Sequence, residues 1–326
     1  MKGIIRVLII ILVLVVVVGV GGYFLLPSTA GRTESFTVDR PPATVFARLA
    51  STPPGTQIAE GVTVTRVVSA EDNKVVAEVA FADESEGTAT YTVTPVGEGS
   101  SVELRIEQPV GANPLARLQA LSGGAVAPIA EAAAVSVSND LEALPATSFD
   151  GLQYAVVQRD AQPFFYIENC SPNEPESIAS IIEQAVRVIP PLMRSNRLEE
   201  TGKLTAVEPR VVEGQYCFQV GYPYRGDQPR ALLTGRTGQT PGGTLLRMVY
   251  TGTEQTVVPE VYDRMDALLA AAHLDDPSRK DDDWTTFEVY HDDPTQPGGS
   301  RNREIFYVVQ GDISALTRIA PPSAPA

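Results

Sequence analysis

The sequence predicts an α+β protein made of two globular parts behind one apolar N-terminal helix. Three observations carry that expectation. Residues Val7 to Leu26 contain no charged side chain. Segments between 34 and 107 alternate apolar and polar residues between turn signals, then give way to an Ala/Leu-rich helical stretch. A strand-helix-strand-strand pattern then occurs twice, about 80 residues apart. At 326 residues the chain has length for two separate cores.

The N-terminal run, VLIIILVLVVVVGVGGYFLL, has the length an α-helix needs to cross a hydrocarbon core of about 30 Å. Tyr23 falls near the far interface, where an aromatic ring is well placed. The alternative is a signal peptide cleaved after Ala30, since Ser28-Thr29-Ala30 supplies small residues, but the apolar core exceeds the roughly 7 to 15 residues usual for one. Residues 1–30 are therefore read as a single-pass membrane anchor. Lys2 and Arg6 precede it while Arg32 and Arg40 follow it. The short leading segment favours the N-terminus inside, with residues 27–326 outside the cytoplasm, in the periplasm of a bacterium.

Composition narrows the function classes. The formal charge of -15, with no Lys/Arg-rich segment, repels a phosphate backbone and excludes nucleic acid as partner. It equally supplies no attraction to an anionic leaflet.

Residues 31–146 form the first globular part. Strands are expected at 34–39, 62–69, 74–82, 88–95 and 101–107, with turns at Glu71-Asp72-Asn73 and Val96-Gly97-Glu98-Gly99 and a helix over Pro42 to Ala50. The stretch from Asn113 to Ala146 is spaced for a helix, interrupted near Gly123-Gly124 and Pro128. DRPPATVFARLAS at 39–51, TPVGEGSSVELRIE and NPLARLQAL resemble the opening helix, final hairpin and long helix of the START-like, polyketide-cyclase/dehydrase superfamily (SRPBCC). That resemblance implies a helix-grip fold, with either a ligand pocket between sheet and helix or a packed interior.

Residues 147–311 form the second part. FFYIENC leads into a helix with Ile178, Ile181, Ile182, Ala185, Ile189 and Leu192 on one face. TLLRMVYTG leads into another, with Val258, Val261, Met265, Leu268, Leu269 and Ala272 on its stripe. Two strands follow each helix: LTAVEPRV and QYCFQVGYPY, then WTTFEVYHDD and REIFYVVQ. FEVYHDDP between an amphipathic helix and REIFYVV, together with GYPY and the tandem modules, resembles the GyrI-like effector-binding domains. The resemblance implies one sheet with a cleft between its halves, binding a small lipophilic or cationic molecule through aromatics and a buried carboxylate.

Carried onto this chain, the resemblance points to Glu304 as the cleft carboxylate and to Gln219 as its counterpart, where an acidic residue is common. Tyr222, Tyr224, Tyr250, Trp284, Phe287 and Tyr290 are candidates for the aromatic lining, each with a plain packing role as its alternative. For Glu304 the alternative is a solvated strand residue paired with Arg301 or Arg303. Some proteins of this kind are hydrolases of strained rings, which makes Glu304 the candidate catalytic group of an enzyme; a non-catalytic scaffold is the remaining alternative. No cofactor is implied. The Asp281-Asp282-Asp283 and Asp292-Asp293 runs lack metal-binding spacing, and His273 and His291 have structural explanations at a helix end and in a turn. Cys170 and Cys217 are disulfide candidates in an oxidising compartment and buried thiols otherwise. Residues 312–326 are expected to be a disordered tail.

Overall fold

The computed structural model describes residues 26–172, 174–212, 214–229, 234–274, 286–295, 301–309 and 313–319. All but the last residue of the Val7 to Leu26 run lies outside these. Among the described residues no helix is long and apolar enough to cross a membrane. The chain divides into units of Met1–Ala146 and Thr147–Ala326.

In the first unit, β1 (Thr29–Val38) and α1 (Pro42–Ala50) are followed by β2 (Gln57–Ala59), β3 (Val62–Glu71), β4 (Lys74–Phe81), β5 (Glu86–Val96) and β6 (Gly99–Pro109). The helices α2 (Pro114–Ala120) and α3 (Val126–Glu142) close it. The sheet is antiparallel throughout, in the order β1-β6-β5-β4-β3-β2. Asp72 and Asn73 both adopt positive φ, as a tight hairpin requires, and Asn73 Nδ2 donates to the Val93 carbonyl at 2.9 Å. Period-2 burial then places Val75, Ala77, Val79 and Phe81 on the inner face with Val102, Leu104 and Ile106. Helix α3 lays Val126, Ala130, Ala133, Val137 and Leu141 against that face, and Arg48 clamps Asp140 with two hydrogen bonds of 3.0 and 2.8 Å. The helical stretch breaks at Gly123 and Gly124, which take φ of 84° and 52°. Pro128 causes no break, because it falls in the first turn of α3, where the missing N–H costs nothing.

The second unit contains β7 (Ala155–Arg159), β8 (Pro163–Ser171), α4 (Pro175–Ser195), the short β9 (Glu199–Glu200), β10 (Thr205–Val212), β11 (Gln215–Arg225) and β12 (Arg236–Gln239). It continues through β13 (Gly243–Gly252), α5 (Glu254–Val257), a π-turn (Val258–Tyr262), α6 (Asp263–Ala271), β14 (Thr286–Tyr290), β15 (Arg301–Val308) and α7 (Ser314–Ile319). The antiparallel order is β12-β8-β11-β10-β14-β15-β13-β7. This sheet cannot be flat. β7 and β8 stand six places apart, about 29 Å at 4.8 Å per strand, yet the link through residues 160–162 reaches about 14 Å at most. The β12–β13 link is equally short, and the two links are tied by Thr240 N–H to the Gln162 carbonyl (2.9 Å) and Gln162 N–H to Thr240 Oγ1 (3.0 Å). The sheet therefore curls into a half-barrel with its edges drawn together.

The two modules are related by a pseudo-two-fold between β10 and β14, where Ala206 faces Glu288. Val207 pairs with Gln219 and Val289 with Glu304, so register makes Gln219 and Glu304 equivalent, as the sequence reading proposed. The same operation relates Phe218 to Arg303 and Ala206 to Glu288. Two expectations change. Val258 is 49% exposed, because the π-turn slips the helical phase at that point. Residues 314–319 form a helix with Leu316 fully buried, so the expected disordered tail begins later than residue 312.

Candidate functional site

Strand alternation and cross-strand register sort the second unit's side chains between the inner face of the curl and the face under the helices. On the inner face, one row runs Glu168, Gln219, Val207, Phe287, Phe306 and Arg247 across β8, β11, β10, β14, β15 and β13. The adjacent row runs Tyr166, Gly221, Thr205, Val289, Glu304 and Val249. Phe287 and Phe306 stack with centroids 4.6 Å apart, Phe164 and Tyr166 stack at 5.4 Å, and these rings join Val207, Leu245 and Val289 in one apolar floor. The Arg159 guanidinium lies over Phe287 and Phe306, 5.5 and 5.2 Å from their centroids. Burial lowers its pKa and the charge of Glu304 pulls it back up.

Close strand approach makes this floor possible at Gly221. A Cβ there would come within 2.0 Å of the Phe165 carbonyl oxygen, so only glycine lets β11 lie so near β8 beside the Tyr166 ring.

Glu304 stands at the edge of the floor with 21% of its side chain exposed. It pairs with Arg247 Nε at 3.4 Å and with His291 Nε2 at 3.3 Å. Across the face, Glu168 pairs with Arg236 at 3.3 Å and is the direct cross-strand partner of Gln219. The expected partners of Glu304, Arg301 and Arg303, are its neighbours on one strand; Arg303 points to the opposite face because adjacent strand residues alternate.

That opposite face carries a second constellation, under the second module's helices. Arg303 is fully buried and donates through Nη1 to Glu288 Oε2 (2.8 Å) and to the Tyr290 hydroxyl (3.2 Å). The Tyr262 hydroxyl donates to Glu288 Oε1 at 2.6 Å. The guanidinium sits 5.8 and 5.2 Å from the rings of Tyr250 and Tyr290. Burial, then the negative charge of Glu288, pushes the Tyr262 phenol well above the usual tyrosine range. This is a carboxylate with aromatics around a cation, and the cation is the chain's own.

The predicted lining is thus divided between the faces. Glu304, Gln219 and Phe287 come together on the inner face. Tyr250 and Tyr290 belong to the Arg303 cluster. Tyr222 and Tyr224 pack with the first module's core beneath α4, and burial raises the Tyr222 phenol to about 12. Trp284 and Asp281-Asp282-Asp283 lie outside the described residues. Cys170 and Cys217 face each other in register and form a disulfide. Among the described residues no group of three or more His, Cys, Asp or Glu is placed to hold a metal. The sequence reading missed Glu168, Tyr166, Phe306 and Arg247; two of them lie two residues from a chosen residue or its pairing partner, a relation visible only once register is known.

No protein-family model and no curated protein matches the chain. Solved structures do resemble it in part. A hydrolase from Listeria innocua aligns over 48% of this chain and 92% of its own at 9% identity, with a TM-score of 0.32. SAV2435, solved bound to tetraphenylphosphonium, aligns over 49% of this chain and 95% of its own at 13% identity and a TM-score of 0.36. EcmrR in a DNA complex aligns over 48% and 57% at 14% identity and a TM-score of 0.37. Likenesses this weak carry no functional weight here.

Proposed function

We propose that the second unit is a GyrI-like binding module that takes a small lipophilic molecule bearing a cationic or hydrogen-bond-donating group, with Glu304 as its polar anchor. The observation that carries this is the pairing of a partly open carboxylate with a stacked aromatic floor on the concave face of a curled sheet. An aromatic floor rewards a flat apolar body through area burial, and a half-shielded carboxylate rewards a donor more than one in bulk water. The Arg303 cluster is the lesser candidate, because a buried guanidinium already fills it. The Cys170–Cys217 disulfide supports an oxidising compartment, which fits an anchor at Val7 to Leu26 holding both units outside the cytoplasm. No ligand is assigned to the first unit, where the inner sheet face and α3 bury apolar side chains against each other.

Thermal shift against a panel of lipophilic cations and neutral lipophiles tests the reading. A ligand at about 100 times its Kd stabilises by about 2.7 kcal/mol, or about 5–10 °C for a unit of this size. The response is expected to shrink in Glu304→Gln. No shift with any compound, or an unchanged shift in the variant, contradicts the assignment.

A further inference from the structure

Helix α2 is seven residues long and buries only Ala120, while Leu115, Leu118 and Leu121 are 62%, 55% and 65% exposed. These leucines recur every three residues, so they form one stripe on one side of the helix and its C-cap. Three neighbouring leucines in water are unfavourable, and so short a helix has little stability of its own. Asn113 Oδ1 accepts from the Leu115 N–H at 2.9 Å, and Arg117 Nε donates to the Gly111 carbonyl at 2.9 Å, so the stripe is held in shape.

Its place in the chain indicates what covers it. The uncharged run ends at Leu26, and two residues later the Ser28 carbonyl accepts from the Val110 N–H at 3.0 Å, with Thr29 paired to Pro109. Leu115 follows Val110 by five residues, at most about 17 Å of chain. The stripe is therefore tethered beside the point where the apolar run ends. Residues 108–130 also contain no Asp or Glu in a chain of charge -15, and their one basic residue, Arg117, has a stem able to lie along an interface.

We propose that the Leu115–Leu118–Leu121 face docks into the lipid interface next to the Val7 to Leu26 segment, seating the first unit on the bilayer surface. The occupant is lipid acyl chain at the headgroup boundary, the depth to which an interfacial helix sinks its apolar face. The proposal rests on that segment being a membrane span.

The test uses the full chain reconstituted in phosphatidylcholine vesicles. Leu118→Trp is introduced with Trp284→Phe, so that one indole reports, and lipids brominated near the headgroup end of the acyl chain are the quencher. The expected result is a blue-shifted indole that loses most of its emission to brominated lipid, while Val68→Trp, at an exposed position on β3, is not quenched. Leu121→Trp, at an equally exposed position, repeats the measurement should Leu118→Trp fold poorly. A chain that floats with vesicles but leaves the indole at 118 unquenched overturns the docking face and leaves the span standing. A chain that does not float overturns both. A blue-shifted indole unquenched by lipid, together with a cross-linked dimer, overturns lipid as the occupant in favour of a second copy.

Discussion

Replacing Arg303 with methionine leaves Glu288 buried beside the Tyr262 hydroxyl with no guanidinium to neutralise it. Arg303 is fully buried and Glu288 is 8% exposed, so neither can recover its interactions from water. Removing one member of a buried pair costs about 3–5 kcal/mol, which for a unit of 180 residues (147–326) lowers the melting temperature by about 6–20 °C. The pseudo-two-fold supplies a control from within the molecule. In the first module the equivalent positions are Phe218 and Ala206, both apolar and both buried, so the same backbone tolerates a dry pair there. The double variant Arg303→Phe/Glu288→Ala is expected to recover most of the loss, short by about 1–3 kcal/mol because the Tyr262 hydroxyl loses its acceptor. Adding Tyr262→Phe removes that remainder. Differential scanning calorimetry of the four proteins checks the series. A single variant as stable as wild type, or a double variant no better than the single, would refute a strongly coupled buried pair.

Further outcomes follow from the same geometry. The Cys170–Cys217 bond closes a loop with a sequence separation of 47, so Cys170→Ser/Cys217→Ala is expected to cost about 4 kcal/mol, or about 8–16 °C, and reductant should then have no further effect; an equal melting point with and without the bond would contradict this. Gly221→Val should abolish the close β8–β11 approach and leave the second unit unfolded or markedly destabilised by circular dichroism, since its Cβ would collide with the Phe165 carbonyl. Burial raises the phenols of Tyr91, Tyr154, Tyr222 and Tyr262, with Tyr154 and Tyr222 at about 12. These groups hold their protons longer when folded, so their contribution is complete below pH about 10 and is lost as pH rises through the raised values. Ultraviolet titration should show four of the eleven tyrosines lagging until the protein unfolds; eleven ionising together near pH 10 would contradict it.

The repeat, the strand positions and the equivalence of Gln219 with Glu304 were legible in the sequence because periodicity and module spacing are local patterns. Which face each aromatic occupies was not. Tyr290 and Phe287 are three residues apart and so lie on opposite sides of β14, but deciding which side is concave needs the pairing of β10 with β14 and the short links that force the curl. Glu288 and Arg303 read as ordinary surface charges in an alternating strand, since nothing in the sequence says that the second module buries an ion pair where the first buries Phe218. Val258 fitted an unbroken helical stripe, and only a π-turn moves it outward.

The central claim, that the inner face is a binding site anchored by Glu304, is tested most directly by calorimetric titration of a lipophilic cation such as tetraphenylphosphonium into wild type, Glu304→Gln and Gln219→Glu. A charge-assisted contact contributes about 1.5–3 kcal/mol, so affinity should fall about ten- to hundred-fold in Glu304→Gln and rise in Gln219→Glu, which places a second carboxylate at the pseudo-equivalent position. Affinity that is unchanged in both variants would contradict the site.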